Sequence, residues 1–136
     1  MTRGLVILSD GELQPFNGAY QDIHNAVGGY IEAIPIEHPD ITVYVCEDGK
    51  ALRYRRNMLG ELVWDHYGAM GCLEDGDWLA GNLVVLGGVD AEGEDTDLKP
   101  EHVARIEMIG LAFHKAIVAI VAEVGRKERP DAQEEG

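Results

Sequence analysis

Five histidines, two cysteines, one serine and a cluster of arginines are the side chains here that can ligate a metal, attack a substrate or seat an anion. The histidines stand at 24, 38, 66, 102 and 114, and no two are four apart, the spacing that puts two imidazoles on one helical face for zinc. A metal site would have to be assembled from distant elements. His66 with Cys72 and Cys46 is the conceivable soft-ligand set, but two core thiols and a helix-face histidine are the simpler reading, so no metal is expected. Ser9, the single serine, stands beside a turn and lacks the G-x-S-x-G elbow of a nucleophile. Arg53, Arg55 and Arg56 can seat an anionic ligand, although balancing local acids is the commoner use of such a cluster. The acidic loop Asp90, Glu92, Glu94, Asp95 and Asp97 offers oxygen ligands without the order of an EF-hand, and reads as a solvated connection. No acid/base couple stands out among so many carboxylates. The expectation is a chain with no catalytic residue and no cofactor.

Composition narrows the partners. Twenty-five acids against eleven bases give a formal charge of −14, which opposes direct binding to nucleic acid or to an anionic membrane surface. An acidic surface that imitates nucleic acid stays open beside plain solubility. With 136 residues and an apolar fraction of 46%, one domain over 1–125 is expected, followed by a disordered acidic tail at 126–136. The longest apolar run, Ala116 to Ala122, is far short of the roughly 20 residues of a membrane span. No signal peptide is read at the start, and the cysteines lack a CxxC partner, so a cytoplasmic protein is expected.

The elements that must position these groups alternate between hairpins and helices. Asp10-Gly11 inside LVILSDGELQPF predicts a two-residue hairpin turn that sets Leu8 opposite Leu13, with Pro15 on an edge strand. Asn17 can cap a helix carrying Tyr20, Ile23 and Val27 on one face. Gly28-Gly29 then follow a helix and precede a strand, Tyr30 to Ile36. A phosphate loop runs in the opposite order, so the pair reads as a left-handed helix terminus and a hinge. Asp48-Gly49 predicts a second hairpin over Ile41 to Tyr54, pairing Glu47 with Lys50 and Val45 with Leu52. Asn57 caps a helix with Leu59, Leu62, Val63 and His66 on one face, ending near Gly68 or Gly71. Trp78 to Leu86 is a strand, with a bulge or close backbone approach at Gly81 and an end at Gly87-Gly88.

A last helix starts near Thr96 or Asp97 with Pro100 in its first turn. Val103, Ile106, Gly110, Phe113, Ile117, Ile120 and Val124 repeat along it at 3-4 spacing, and Leu111, Val118 and Val121 add apolar surface off that seam. Core packing explains the seam; a homodimer through Phe113, Ile117 and Ile120 would also explain the surplus. The fold class is therefore α+β, a small mostly antiparallel sheet built from hairpins and packed against two short helices and a long carboxyl-terminal helix.

Residues 20–106 resemble a family of short phage and bacterial proteins known as domain of unknown function 3846. The resemblance rests on AVGGYIEAIPI at 26–36, VYVCEDGKAL at 43–52, Asn57 and AGNLVVLGG at 80–88. Where the family usually has Asn-Glu-Glu-Gly, this chain has Cys46-Glu47-Asp48-Gly49. The resemblance implies a small accessory protein acting inside a bacterial host, and raises Glu32 and Asn57 as site candidates beside the three arginines. Two functions follow as expectations. One is a non-enzymatic module that binds a host protein, with DNA mimicry or an anti-defence role among its forms; the other is a small-ligand or nucleotide binder or an unrecognised enzyme.

Overall fold

A computed structural model describes residues 3–127. Among them are β1 (Gly4–Ile7), β2 (Leu13–Phe16), α1 (Tyr20–Val27), β3 (Ile31–Ala33), β4 (Ile41–Cys46), α2 (Met58–Tyr67), β5 (Leu83–Gly87) and α3 (Pro100–Lys127). The strands form one antiparallel sheet in the order β2-β1-β5-β4-β3. Side chains alternate across a strand, so both faces of a sheet flanked by helices must be apolar. Ile7, Val43, Val45, Leu83 and Val85 point to one face, where they meet Leu59, Val63 and Trp64 of α2 and Ile106 of α3. Val6, Val84 and Leu86 point to the other and meet Ile23 and Val27 of α1. The result is the predicted α+β class, an antiparallel sheet with two short helices and a long carboxyl-terminal one, and in it α1 covers one face while α2 and α3 cover the other.

The local signals fared unevenly. Gly28 ends α1 at φ 84°, the left-handed terminus expected of a residue without Cβ. Pro15 lies on β2, an edge strand. The cap of α1 is Ala19 in place of Asn17, because the Asp22 carboxylate reaches back to accept from the Ala19 amide at 2.7 Å. Tyr20 is exposed, leaving Ile23 and Val27 as the buried face. The first hairpin is one residue out of the expected register: Ile7, not Leu8, faces Leu13. Gly11 donates to the Leu8 carbonyl at 2.9 Å and Leu8 N–H to Glu12 O at 2.8 Å, a three-residue loop with Gly11 left-handed. That slip puts Leu13 on the face covered by α3, where it packs, and leaves Leu8 on the opposite one.

The second hairpin does not form. β4 already has β3 on one side and β5 on the other, so no edge is left for residues 50–54. Residues 47–53 coil into consecutive turns instead, with Leu52 N–H to Asp48 O at 2.8 Å and Tyr54 N–H to Gly49 O at 2.9 Å. The strand expected over Tyr30 to Ile36 is shortened to Ile31–Ala33. Beyond it the chain turns away to α2, where Glu37 N–H bonds Gly68 O and His38 N–H bonds Tyr67 O. In α2, Trp64 and Tyr67 take the buried positions expected for Leu62 and His66. The expected tail at 126–136 lies outside the described residues from 128 onward, and Arg126 and Lys127 belong to α3.

Candidate functional site

The glycine pair is the natural starting point, since its amides could face an anion or be used up in the helix end. Gly28 and Gly29 N–H both donate to the His24 carbonyl, at 2.9 and 3.2 Å, so they close α1 and neither is left for a ligand. The carbonyl side is equally occupied: the Tyr54 hydroxyl donates to Gly28 O at 2.7 Å. Asn82 ties the same corner together, accepting from Ser9 N–H at 3.0 Å and donating to Ala26 O at 3.3 Å. Between these groups lies an open cavity of about 260 Å³ lined by Ser9, Asn25, Gly28, Tyr54, Arg55 and Asn82. Gly81 packs against the Tyr54 ring, the close approach its position in the strand signalled. Two of the quoted stretches, AVGG and AGN, thus converge on one pocket.

The five ligand candidates do not converge with them. Arg55 alone reaches the glycine corner, exposed and in no ion pair among the described residues. Arg56 forms a bidentate pair with Glu61, at 2.8 and 2.7 Å, whose bond raises the guanidinium pKa. Arg53 sits exposed in the turn that follows Asp48-Gly49. Glu32 stands on β3 opposite Val45 and borders a separate narrow cleft with Lys50, Asp77 and Trp78. Asn57 is fully buried, and every polar function of its side chain is engaged. It accepts from Gly60 N–H at 2.8 Å as the α2 cap, and donates to Ile7 O and Gly81 O at 2.9 Å each. One amide therefore joins α2, β1 and the approach to β5.

The sheet also separates the two thiols. Cys46 is buried on the α1 face, while Cys72 packs against the α2/α3 face, so the sulfur set with His66 is not assembled. Histidines nonetheless gather elsewhere. His38, on the connection between β3 and β4, meets His102 of the first turn of α3 with ring centroids 5.0 Å apart, and the Tyr67 hydroxyl lies 3.0 Å from His102 Nδ1. Burial raises the Tyr67 phenol pKa, keeping it protonated. Asp40 completes this corner, its carboxyl pKa lowered by the hydrogen bond from Lys99 at 2.8 Å. The only local signal was the His38-Pro39-Asp40 triplet; His102 lies too far along the chain for spacing to reveal it.

The interface candidates lie on α3, about 42 Å long at 1.5 Å per residue. Ile106 and Gly110 are buried, and Val103, Ile109 and Phe113 are packed against the core. Beyond Phe113 the same stripe continues into solvent. Ile117 is 38% exposed and Ile120 58%. Val124 extends it, and Val121 beside it is exposed too. By length and composition α3 could cross a membrane, a property hidden in the sequence because His114 and Lys115 interrupt the apolar run. A groove of about 460 Å³ runs between α3 and the β2 edge, lined by Leu13, Pro15, Gly110, Leu111 and His114 among others. Gly110 permits this close packing, since a Cβ there would stand 3.2 Å from Leu13 Cδ1.

The sequence profile of the family described as "Domain of unknown function (DUF3846)" matches residues 1–110. No curated protein and no solved structure matches the chain. The matched stretch ends at Gly110, the last buried residue of α3.

Proposed function

From this chain's membership of the DUF3846 family, we propose that it is a non-enzymatic protein-binding module, an accessory protein of phage or bacterial origin that acts on a host factor in the bacterial cytoplasm. One observation carries the reading. The apolar stripe that docks α3 onto the sheet runs on through Ile117, Ile120 and Val124 after the body of the domain has ended, and after the family match has ended too. Apolar surface of this extent on a soluble chain marks a contact site. The stripe keeps the 3-4 spacing of a helix-pairing seam, which another helix of the same period fits. The α3 of a second copy has that period, and we assign it as the occupant; the acidic remainder of the surface is then left to attract a basic host protein, nucleic-acid mimicry being one form of that attraction.

Light scattering after size exclusion, across a hundredfold range of concentration, tests this. A dimer that persists at high salt and becomes a monomer on Ile117→Asp with Ile120→Asp supports the α3 pairing, and salt-sensitive retention of a basic bacterial protein by that dimer is the result expected of the host-binding reading. A monomer at every concentration, or helix-dependent uptake onto neutral lipid vesicles without self-association, overturns it.

The glycine corner favours a second reading, a small anionic ligand held by Arg55 in the cavity beside Gly28 and Asn82. A nucleotide or simple phosphate ester that raises the unfolding temperature of the wild-type chain and not of Arg55→Ala supports it. No shift with any nucleotide at millimolar concentration removes it.

A further inference from the structure

The corner where the β3–β4 connection, the end of α2 and the start of α3 meet carries a chemistry that neither reading uses. His38, Asp40 and His102 each present one ligand atom, and the three atoms lie within 4.8 Å of one another. Two imidazoles and one carboxylate from three positions, converging at that separation, are the donor set of a divalent first-row transition metal. Calcium and magnesium prefer all-oxygen shells and are poorly served by it. We propose that His38, Asp40 and His102 form a metal site of the zinc type, with one coordination position left open toward solvent.

The surroundings support the assignment in three ways. First, the ligands stand on backbone that is fixed before any metal arrives. His38 N–H bonds Tyr67 O at 3.1 Å and Glu37 N–H bonds Gly68 O at 2.9 Å, tying the connection to the end of α2. Trp64 Nε1 donates to Pro35 O at 2.7 Å on the same connection. Lys99, the residue before α3, donates to Asp40 at 2.8 Å. A preformed site loses little conformational freedom on binding.

Second, the groups behind the ligands suit ligation. Metal-bound histidines hold their second nitrogen in a hydrogen bond that sets the tautomer. His102 Nδ1 sits 3.0 Å from the Tyr67 hydroxyl; when it donates to that oxygen, Nε2 is left with its lone pair for the metal. Lys99 engages Asp40 Oδ2 and leaves Oδ1 for a ligand bond. His38 is the exception: its Nδ1 accepts the Asp40 N–H at 3.1 Å, which places the neutral ring's proton on Nε2, so ligation through Nε2 costs this half-buried hydrogen bond.

Third, there is room and a mixed electrostatic rim. A cavity of about 250 Å³ opens on the corner, bordered by His66, Tyr67, Glu101 and Arg105 as well as the two histidines. Lys99 and Arg105 oppose a cation there, while Glu101 and the nearby Glu37 and Asp65 favour one. His66 stands at that rim.

The test uses the full chain, stripped with chelator and titrated with ZnCl2 in a calorimeter, and with CoCl2 in a spectrophotometer. One Zn²⁺ per chain is expected, with a raised unfolding temperature. Co²⁺ should show the intense d–d bands of a four- or five-coordinate ion. His38→Ala and His102→Ala should each weaken binding at least 100-fold, and Tyr67→Phe about 10-fold, in line with the loss of an orienting partner. His24→Ala, remote from this corner, should bind as the wild type does. Absence of stoichiometric binding, the weak spectrum of the aqua ion in the unmutated chain, or equal losses in His24→Ala would each overturn the site. The wild-type Co²⁺ spectrum decides the matter even where a variant fails to fold.

Discussion

The two halves of α3 have similar composition and opposite fates. From Pro100 to Phe113 the helix lays Ile106 and Gly110 against Leu13, Leu59 and the sheet; from His114 to Lys127 an equally apolar stripe meets solvent. Periodicity dictates which side of a helix is greasy. It cannot say where along that side the cover stops, because the cover is supplied by strands and helices remote in sequence. The same seam is thus core in one half and, on the proposed reading, interface in the other.

Substitutions along α3 should separate the halves. Ile106→Ala removes a fully buried side chain at the junction of α3 with the sheet, and is expected to cost about 3 to 4 kcal/mol in urea unfolding. A loss below about 1 kcal/mol would mean that the proximal half is not docked. Next, Ile117→Asp with Ile120→Asp should raise the dimer dissociation constant at least 100-fold, about 2.7 kcal/mol, while the monomer's unfolding free energy stays within about 0.5 kcal/mol. If the monomer itself were destabilised as much as by Ile106→Ala, the distal half would be core after all. Phe113→Ala, at the boundary, should show both effects weakly, about 1 to 2 kcal/mol in stability together with a measurable loss of association. Val118→Asp lies off the stripe and is 68% exposed, so analytical ultracentrifugation should find dissociation changed less than about threefold. A Val118→Asp effect as large as that of Ile120→Asp would place the contact on a different face.

A similar contrast holds between Asn57 and the Asp48-Gly49 pair. Both carry strong local signals. Asn57 caps α2 as its position predicts, because a cap needs only the amide three residues ahead. Asp48-Gly49 fails as a hairpin because a strand pairs with whichever neighbour the whole sheet provides, and β3 and β5 had taken both sides of β4. The first hairpin formed yet slipped by one residue, since either turn length fits Asp10-Gly11 and packing of Leu13 under α3 selects between them. Asn57 also makes bonds that no local signal announces. Its two further bonds, to Ile7 O and Gly81 O, lie 50 and 24 residues away and belong to no local pattern.

The left-handed end of α1 at Gly28, the Asn57 cap of α2 and the amphipathic period of α3 were set by interactions within a few residues, so the amino-acid order alone determined them. Tertiary structure decided the rest: which strand lies beside β4, how far α3 is covered, that Arg55 and not Arg56 reaches the glycine corner, and that His38 and His102 meet. Those outcomes depend on contacts between residues tens of positions apart, whose encounter is governed by closure of the whole sheet and burial of its two faces.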